Sequence, residues 1–353
     1  MNLSTFELFK SLNNADGSIE LSNTELIKLQ NCLFDILSDI DSFCSKNHIS
    51  YFLSGGSALG ALRHKGFIPW DDDLDINMTR KDFSAFFKSF EKAFPGKYVV
   101  QSPGQTQDYF LTSGRIRLKN SAYVTRGEQD EKEQGIFVDI FIIENVPNNK
   151  QLRKVHGFFC LAFGFLLSCR MFYKNRQSYQ ALLSGSSEAK KVFKIKNTIG
   201  FCTSWLSASK WNSLTNWVYS LCKNEHSEYV SIPSGRKHYF GELYKRSGFC
   251  EKDYLDFEGL RCPVAKDLND YLTKLYGPDF MTPPPPEKRE KHLIFKFKLP
   301  ENFKGNHDSS GCFGSRKRHK NGKFNVAETI FESRWYADDR PDRREVCGHR
   351  RGK

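Results

Sequence analysis

The amino-acid sequence predicts an α+β fold, a mixed β-sheet core flanked by helices with a mostly helical C-terminal portion. Over residues 49–147, short apolar runs typical of strands alternate with amphipathic helical patterns. Residues 150–230 carry mainly helical patterns, apolar in places and basic in others. Residues 232–300 mix short elements with four consecutive prolines, which exclude helix there and impose an extended path.

The predicted core begins with a capped helix and two short strands. Ser22 and Glu25 form a capping box that starts an amphipathic helix over residues 22–45. Gly66 stops a short helix, and Pro69 prevents it from continuing into the acidic run that follows. The elements predicted after the first helix are a strand at 49–54, a Gly-Gly-Ser turn at 55–57, a helix at 58–65 and a strand at 73–78.

A second capped helix and three more strands complete the core. Thr79 and Asp82 are typical of a helix start. At helical spacing they are followed by Phe83, Phe86, Phe87 and Phe90. The remaining strands are predicted at 97–101, 110–118 and 136–143.

Composition bounds the class of protein. The 353 residues are 39% hydrophobic, enough for one large domain or two ordinary ones. The net charge of +12 suits an anionic partner, such as a nucleotide, a nucleic acid or an acidic membrane surface. The ten cysteines form no Cys-x-x-Cys pair, and the N-terminus lacks signal-peptide features. We therefore expect reduced thiols and a cytoplasmic location.

Changes in composition divide the chain into segments. The character becomes helical after Pro147, and beyond residue 300 hydrophobic periodicity is largely lost. We expect this basic tail to be disordered or non-native. The predicted segments are an N-terminal helical segment at 1–48, a mixed core at 49–147, a helical and proline-rich region at 148–300 and the tail at 301–353.

One apolar segment, residues 155–169, has basic residues on both sides. It is about 15 residues long, short of the roughly 20 that span a bilayer. We expect a buried helix. The alternative is a helix that lies at the inner face of a membrane as a peripheral contact.

The acidic stretch "GFIPWDDDLDINM" borders this predicted core. If it is extended, Asp71, Asp73 and Asp75 project from one face and aliphatic side chains from the other, with Asp72 at the mouth. Carboxylates on one face repel each other, and a divalent cation relieves the repulsion. Asp73 and Asp75 are therefore the strongest candidate ligands for Mg²⁺ or Mn²⁺, with Asp71 as a further candidate. The alternative is a solvated acidic loop.

Two neighbouring motifs favour the metal-site interpretation. Gly55, Gly56 and Ser57 lie between a strand and a helix, where backbone N–H groups can bind a phosphate, although ordinary turns use the same residues. Asp139 lies inside the apolar strand "GIFVDIFII", where a carboxylate is costly unless it is paired or metal-bound. Asp139 would complete the metal site or act as a general base.

Basic residues near these motifs have two interpretations each. Arg63, Arg115 and Arg117 are candidate phosphate contacts, or otherwise surface charges. Arg115 or Arg117 could instead be the ion-pair partner of Asp139.

These motifs resemble the LicD family, a branch of the nucleotidyltransferase fold that also includes the fukutin-like proteins. "GGSALGALRHKGFIPWDDDLDINM" carries the family's glycine turn, Leu-Gly-x-x-Arg stretch and acidic core. "YGPDFMTPPPPEKREKH" is similar to its Tyr-Gly, proline-rich and Arg-x-x-His ending, in which Arg289 and His292 have an open role. The resemblance covers residues 50 to about 295 and implies a nucleotidyltransferase-like catalytic core at 49–147 with a substrate-side region behind it.

The resemblance also implies an activity. A phospho-substituent such as phosphocholine or a polyol phosphate would move from a CDP-linked donor to a hydroxyl of a glycan or lipid-linked glycan. Asp73, Asp75 and Asp139 match the family's carboxylates, and Gly56 with Ser57 matches the turn that holds donor phosphate.

Two alternatives stay open. The same fold could transfer a nucleotidyl group to a small molecule, a protein or RNA, although no basic-aromatic stripe favours nucleic acid, which we do not expect as a partner. The chain could also be a non-catalytic scaffold at a membrane surface.

Overall fold

The computed structural model describes residues 17–303, except 108, 126–127, 129–130, 178–186, 290 and 302. Of the predicted tail at 301–353, only Glu301 and Phe303 belong to this part of the chain. The described strands are β1 (Phe52–Leu53), β2 (Asp75–Thr79), β3 (Tyr98–Gln101), β4 (Gly114–Leu118), β5 (Ala122–Thr125), β6 (Phe137–Asn145), β7 (Tyr229–Ser231), β8 (Leu243–Lys245), β9 (Lys252–Phe257), β10 (Leu260–Ala265) and β11 (Ile294–Lys298).

Helices cover the faces of these strands, as the predicted fold class requires. They are α1 (Asn23–Lys46), α2 (Gly55–His64), α3 (Arg80–Ala93), α4 (Lys150–Lys174), α5 (Ser187–Cys202), α6 (Ala208–Tyr219), α7 (His238–Gly241), α8 (Arg246–Phe249) and α9 (Leu268–Tyr276). A 3₁₀ turn at Pro286–Lys288 interrupts the proline-rich segment.

The main sheet is mixed. Its strand order is β1-β2-β6-β4-β3, with β7 pairing the end of β6 and β8 pairing β7. Strands β2 and β6 are parallel, whereas the other pairs in this sheet are antiparallel. This architecture confirms the predicted mixed sheet flanked by helices.

The helix starts follow from local hydrogen bonds. At α1 the Glu25 N–H donates to Ser22 Oγ at 3.3 Å and the Ser22 N–H donates to Glu25 Oε2 at 2.9 Å, which confirms the capping box. At α3 the Asp82 N–H donates to Thr79 Oγ1 at 3.2 Å. Of the predicted phenylalanine stripe of α3, Phe83, Phe86 and Phe90 are fully buried, whereas Phe87 is partly buried.

Two boundaries near the acidic stretch differ from the prediction. Gly55 to Ser57 form the first turn of α2 instead of a separate turn, because Ser54 supplies an extended N-cap. Strand β2 begins at Asp75 instead of residue 73. A turn closed by the Asp71 N–H and the Ile68 carbonyl at 2.9 Å precedes it, so residues 71–74 are irregular. The simple two-face alternation therefore applies only from Asp75 onwards, and there both faces are buried.

Helix α4 contains the apolar segment 155–169 and is 25 residues long. Its inner side is buried through His156, Cys160 and Leu167, whereas large apolar side chains on its other side are exposed. The predicted burial is thus correct for one side only. Within the described part of the chain, α4 is the one helix with a length and composition that could cross a membrane, and a third of its most apolar window is buried in the protein.

Candidate active site

Two predicted metal ligands and one candidate phosphate contact lie side by side on neighbouring strands. Asp75 on β2 is in register with Asp139 on β6, and Asp139 is in register with Arg115 on β4. The Asp75 N–H donates to Ser57 Oγ at 2.9 Å, which joins the start of β2 to α2. The structure therefore brings together the acidic stretch, the glycine turn and the third carboxylate at one end of the sheet.

The carboxylates of this region perturb each other's protonation. Burial raises the pKa of Asp75 well above its usual range, and Asp73, Asp139 and Asp71 act in the same direction. Burial, with Asp73 and Asp72, likewise raises the pKa of Asp71. Burial raises the pKa of Asp73 to about 6, although His292 opposes the shift. The site thus holds more negative charge than its own cations offset.

Asp72 differs from its neighbours because it is paired. His292 Nδ1 lies 2.8 Å from Asp72 Oδ1, and the His292 backbone N–H donates to Asp72 Oδ2 at 3.2 Å. Although burial raises the pKa of Asp72, the charge and hydrogen bonds of His292 lower it overall. Arg289 stacks over Trp70, with its guanidinium carbon 3.9 Å from the ring centroid. These contacts hold the end of the proline-rich segment against the acidic stretch.

The glycines at the start of α2 allow the close approach of the carboxylates. A Cβ on Gly56 would lie 2.7 Å from Asp71 Oδ2, and a Cβ on Gly55 would lie 3.5 Å from Asp75 Oδ2. Gly55 also has a φ of +48°, a left-handed conformation that favours glycine. The Asp71 carboxylate therefore lies in the space that a side chain at position 56 would need, and the Asp75 carboxylate lies at the edge of the space at position 55.

We expect Gly56→Ala to lower turnover by about 10- to 100-fold, because the added methyl displaces the Asp71 carboxylate. Stability should change little, since the clashing atom is the end of a side chain that can move. Steady-state kinetics and thermal unfolding check both parts. In an Asp71→Ala background the methyl has room, so Gly56→Ala should then have no further effect; an equal loss in both backgrounds would contradict the explanation.

Asp139 is held by a buried arginine. Arg115 Nε donates to Asp139 Oδ1 at 2.7 Å and an Arg115 terminal nitrogen donates to Oδ2 at 2.8 Å, a bidentate pair. The other terminal nitrogen of Arg115 pairs with Glu128. Asp139 is therefore ion-paired, as one of the two interpretations of its sequence predicted. Arg115 occupies both of its carboxylate oxygens.

Arg117 does not reach a surface where a phosphate could bind. Its side chain is 1% exposed and donates to Gln101 Oε1 at 2.9 Å, to the Gly135 carbonyl at 3.1 Å and to Glu128 Oε1 at 3.2 Å. Because β4 directs this residue into the core, its geometry favours a structural role, and its contact with donor phosphate stays a prediction. Arg115 is almost as buried and already bound to two carboxylates, so its geometry likewise favours charge balance over phosphate binding.

Arg63 lies on the other side of the site, at the end of α2. One terminal nitrogen donates to the Phe280 carbonyl at 3.0 Å, and Nε donates to His64 Nε2 at 2.9 Å. Asp71 is close enough to favour the charged form of Arg63. Its half-buried guanidinium thus borders the carboxylates, and its contact with donor phosphate stays a prediction.

Sequence reasoning missed the tyrosines of α9. The Tyr271 hydroxyl accepts from the Gly55 N–H at 2.9 Å and lies 2.9 Å from Ser54 Oγ. The Tyr276 hydroxyl would lie 3.4 Å from a Cβ on Gly55, next to Asp75. Helical spacing predicts only that Tyr271 is buried. Tyr276 is part of the quoted Tyr-Gly motif, which was the one available signal.

The donor set suits a hard divalent cation. Several buried carboxylates with raised pKa values are the oxygen ligands that Mg²⁺ prefers, and their mutual repulsion is what a cation would relieve. Among the described residues, the tightest group of potential ligand atoms is Asp72, Asp73 and His292, all within 4.8 Å of one another. This group differs from the predicted set. It contains Asp73 but neither Asp75 nor Asp139.

The fold and the carboxylate site define a nucleotidyltransferase-type domain. Residues 48–159 match the LicD/FKTN/FKRP nucleotidyltransferase domain, so this part of the chain is a domain of that family. The lipopolysaccharide cholinephosphotransferase LicD of Haemophilus influenzae is 25% identical over 279 residues, which cover 74% of this chain and 93% of that protein.

Shorter matches occur in two further bacteria. Uncharacterized proteins of Rickettsia prowazekii and Rickettsia typhi are each 44% identical over 50 residues. These matches cover 14% of this chain and 19% and 16% of the two relatives.

Proposed function

We propose that the protein is a phosphotransferase that moves a phospho-substituent from a CDP-linked donor to a hydroxyl of a cell-surface glycan. Phosphocholine and a polyol phosphate are the candidate groups. The observation that carries the proposal is the register of Asp75 beside Asp139, with the start of α2 close to the carboxylates of Asp75 and Asp71. The similarity to a cholinephosphotransferase supports the choice of phosphocholine.

Each part of the site has a proposed role. The acceptor hydroxyl attacks the donor phosphorus that carries the substituent, the bridging P–O bond breaks, and CMP leaves with the electron pair. Asp73 and Asp75 would hold Mg²⁺ or Mn²⁺, with Asp71 as a candidate third ligand. When bound, such a cation offsets charge on the diphosphate and the leaving group. The backbone at the start of α2 would face the donor phosphates.

Asp139 has two candidate roles, ligand or proton acceptor. Because Arg115 occupies both of its oxygens, its geometry favours a fixed carboxylate that orients the site over a freely available base. In the metal-free protein burial raises the pKa of Asp73 to about 6, so this carboxyl would give up its proton when it binds the cation. The paired Asp72 and His292 would position the proline-rich segment over the site.

A donor screen tests the proposal. The purified chain is incubated with CDP-choline, CDP-ribitol and CDP-glycerol, and separately with CTP and ATP, each with Mg²⁺ and a glycan acceptor. We expect transfer from one of the three CDP-linked donors. Transfer of a nucleotidyl group from CTP or ATP would instead support the nucleotidyltransferase alternative. A protein that binds neither the metal nor any of the nucleotides would support the scaffold alternative.

Metal binding should weaken at acid pH. Because Asp73 has a pKa of about 6, protons compete with the cation below that value. We expect the apparent Kd for Mg²⁺ to rise about tenfold per pH unit for each proton displaced. Calorimetric titration from pH 5 to pH 8 measures this, with circular dichroism at each pH as the control for folding. A Kd that is constant over this range would contradict Asp73 as a ligand.

A further inference from the structure

The helical region after β6 is strongly basic. Residues 150–224 contain twelve lysines or arginines and a single acidic residue, Glu188. Lys150 and Lys154 lie at the start of α4, and Lys190, Lys191 and Lys194 are exposed on α5. A surface with this charge attracts an anionic partner over a distance of about a Debye length.

The same region exposes a contiguous apolar surface on α4. Leu152, Val155, Phe158 and Phe159 lie on one side of the helix and are 61%, 53%, 66% and 46% exposed. We call these four residues the α4 face. Large apolar side chains exposed at this density mark an interaction surface.

Helix α4 packs on the rest of the protein through the side opposite the α4 face, so the α4 face is not needed for the core. His156 on that side bonds the Val218 carbonyl of α6 at 2.9 Å and lies 3.2 Å from the Tyr239 hydroxyl. Gly157 is in close contact with Tyr239 and Phe240, where a Cβ would clash with both rings. This side of α4 is therefore occupied by other parts of the protein.

Basic residues beside exposed aromatic and aliphatic side chains are the composition of a helix that lies in the interface of an anionic bilayer. Helix α5, which carries the lysine group, packs on α4: Lys196 Nζ donates to Ser168 Oγ at 3.0 Å. This contact lies in the C-terminal half of α4. The exposed basic residues beside the α4 face itself are Lys150 and Lys154, in the first turns of the same helix. An acidic soluble partner would match the charge but would not need so many exposed phenylalanines.

We propose that the α4 face docks on the surface of an anionic lipid bilayer, with α4 lying in the interface. A spanning orientation would break the packed side of the helix, including the buried His156 bonds. Docking does not depend on the proposed transferase activity. Asn145, at the end of β6 that leads to α4, lies six positions along the strand from Asp139, a distance of about 20 Å. Changes in the α4 face should therefore leave the carboxylate site intact.

Vesicle co-sedimentation of the full chain tests this proposal. The probes are phosphatidylcholine vesicles and vesicles that also contain phosphatidylglycerol. We expect binding to the anionic vesicles that weakens with added salt, and little binding to the neutral ones. The variant F158S/F159S should bind at least tenfold more weakly, since each phenylalanine contributes buried apolar area in the interface. The variant K150Q/K154Q, which removes the two exposed lysines beside the α4 face, should lose about fivefold for each lysine.

Matched controls change similar residues elsewhere. I27S/Y254S removes two exposed apolar side chains, and K28Q/K88Q/K92Q removes three exposed lysines, all outside the helical region. Both should bind as the wild type does. The proposal is overturned if the wild type does not sediment with anionic vesicles, or if F158S/F159S binds normally. It is also overturned if light scattering shows a dimer that F158S/F159S abolishes, because a second copy would then cover the face.

Discussion

Replacing Asp73 or Asp75 with Asn should reduce turnover by about 10²- to 10³-fold or more, while the protein stays folded. Each change removes a carboxylate from the group that would hold the cation, and the amide cannot replace its charge. The measurement is product formation by the purified variants at saturating Mg²⁺. Asp256→Asn, at an exposed position on β9, is the matched control and should be fully active. Near-normal turnover in either active-site variant would contradict the metal assignment.

The same substitutions should stabilise the metal-free protein or leave its stability unchanged. Asp73 has a pKa of about 6 in the folded protein against an ordinary value of 3.8. The folded state therefore binds more protons, and stability falls as the pH rises between these two values. Asn cannot ionise, so the Asp73→Asn variant avoids this loss of stability. It should therefore be more stable than the wild type above pH 6 and equally stable near pH 4. Thermal unfolding in chelator across this range measures the difference.

Arg115→Met should cost about 3–5 kcal/mol of folding free energy, the second large effect that we expect. The arginine is buried between Asp139 and Glu128, and its removal leaves both carboxylates without their shared cation. Denaturant unfolding of the metal-free protein measures the loss. The double variant R115M/E128Q should recover part of it, since one unpaired charge is then removed.

The pH dependence of this loss distinguishes ion pairing from packing. Although burial raises it, the pKa of Glu128 is lowered to about 2 by Arg115 and Arg117, against an ordinary value of 4.5. Its contribution to stability is therefore present above pH 4.5 and disappears as the pH falls towards 2. The cost of Arg115→Met should shrink in the same range. A loss below about 1 kcal/mol at pH 7 would mean that Arg115 is free to serve a ligand instead.

Local chemistry made much of the fold predictable. The Ser22–Glu25 capping box and the Thr79 cap depend on contacts three residues apart, and the phenylalanine stripe of α3 depends on helical periodicity. The proximity of the glycine turn to the acidic stretch also followed from sequence, because only one short helix separates them.

Contacts between distant segments were not predictable in this way. The Tyr271 bond to Gly55 joins residues 216 positions apart, and the His292 pair with Asp72 joins residues 220 positions apart. The partner of Asp139 was left open between Arg115 and Arg117, which are two residues apart on one strand. The register of β4 against β6 decides for Arg115. Glu128 follows β5 by three residues, and no pattern indicates that it joins the two arginines.

The position of the broken P–O bond tests the central claim most directly. CDP-choline radiolabelled at either the α or the β phosphorus is incubated with the protein, Mg²⁺ and a glycan acceptor. Attack on the β phosphorus predicts that the β label moves to the glycan and the α label leaves as CMP. The same experiment with CDP-ribitol and CDP-glycerol covers the polyol phosphates. Transfer of the α label, or no transfer from any of the three donors, would contradict the phosphotransferase proposal.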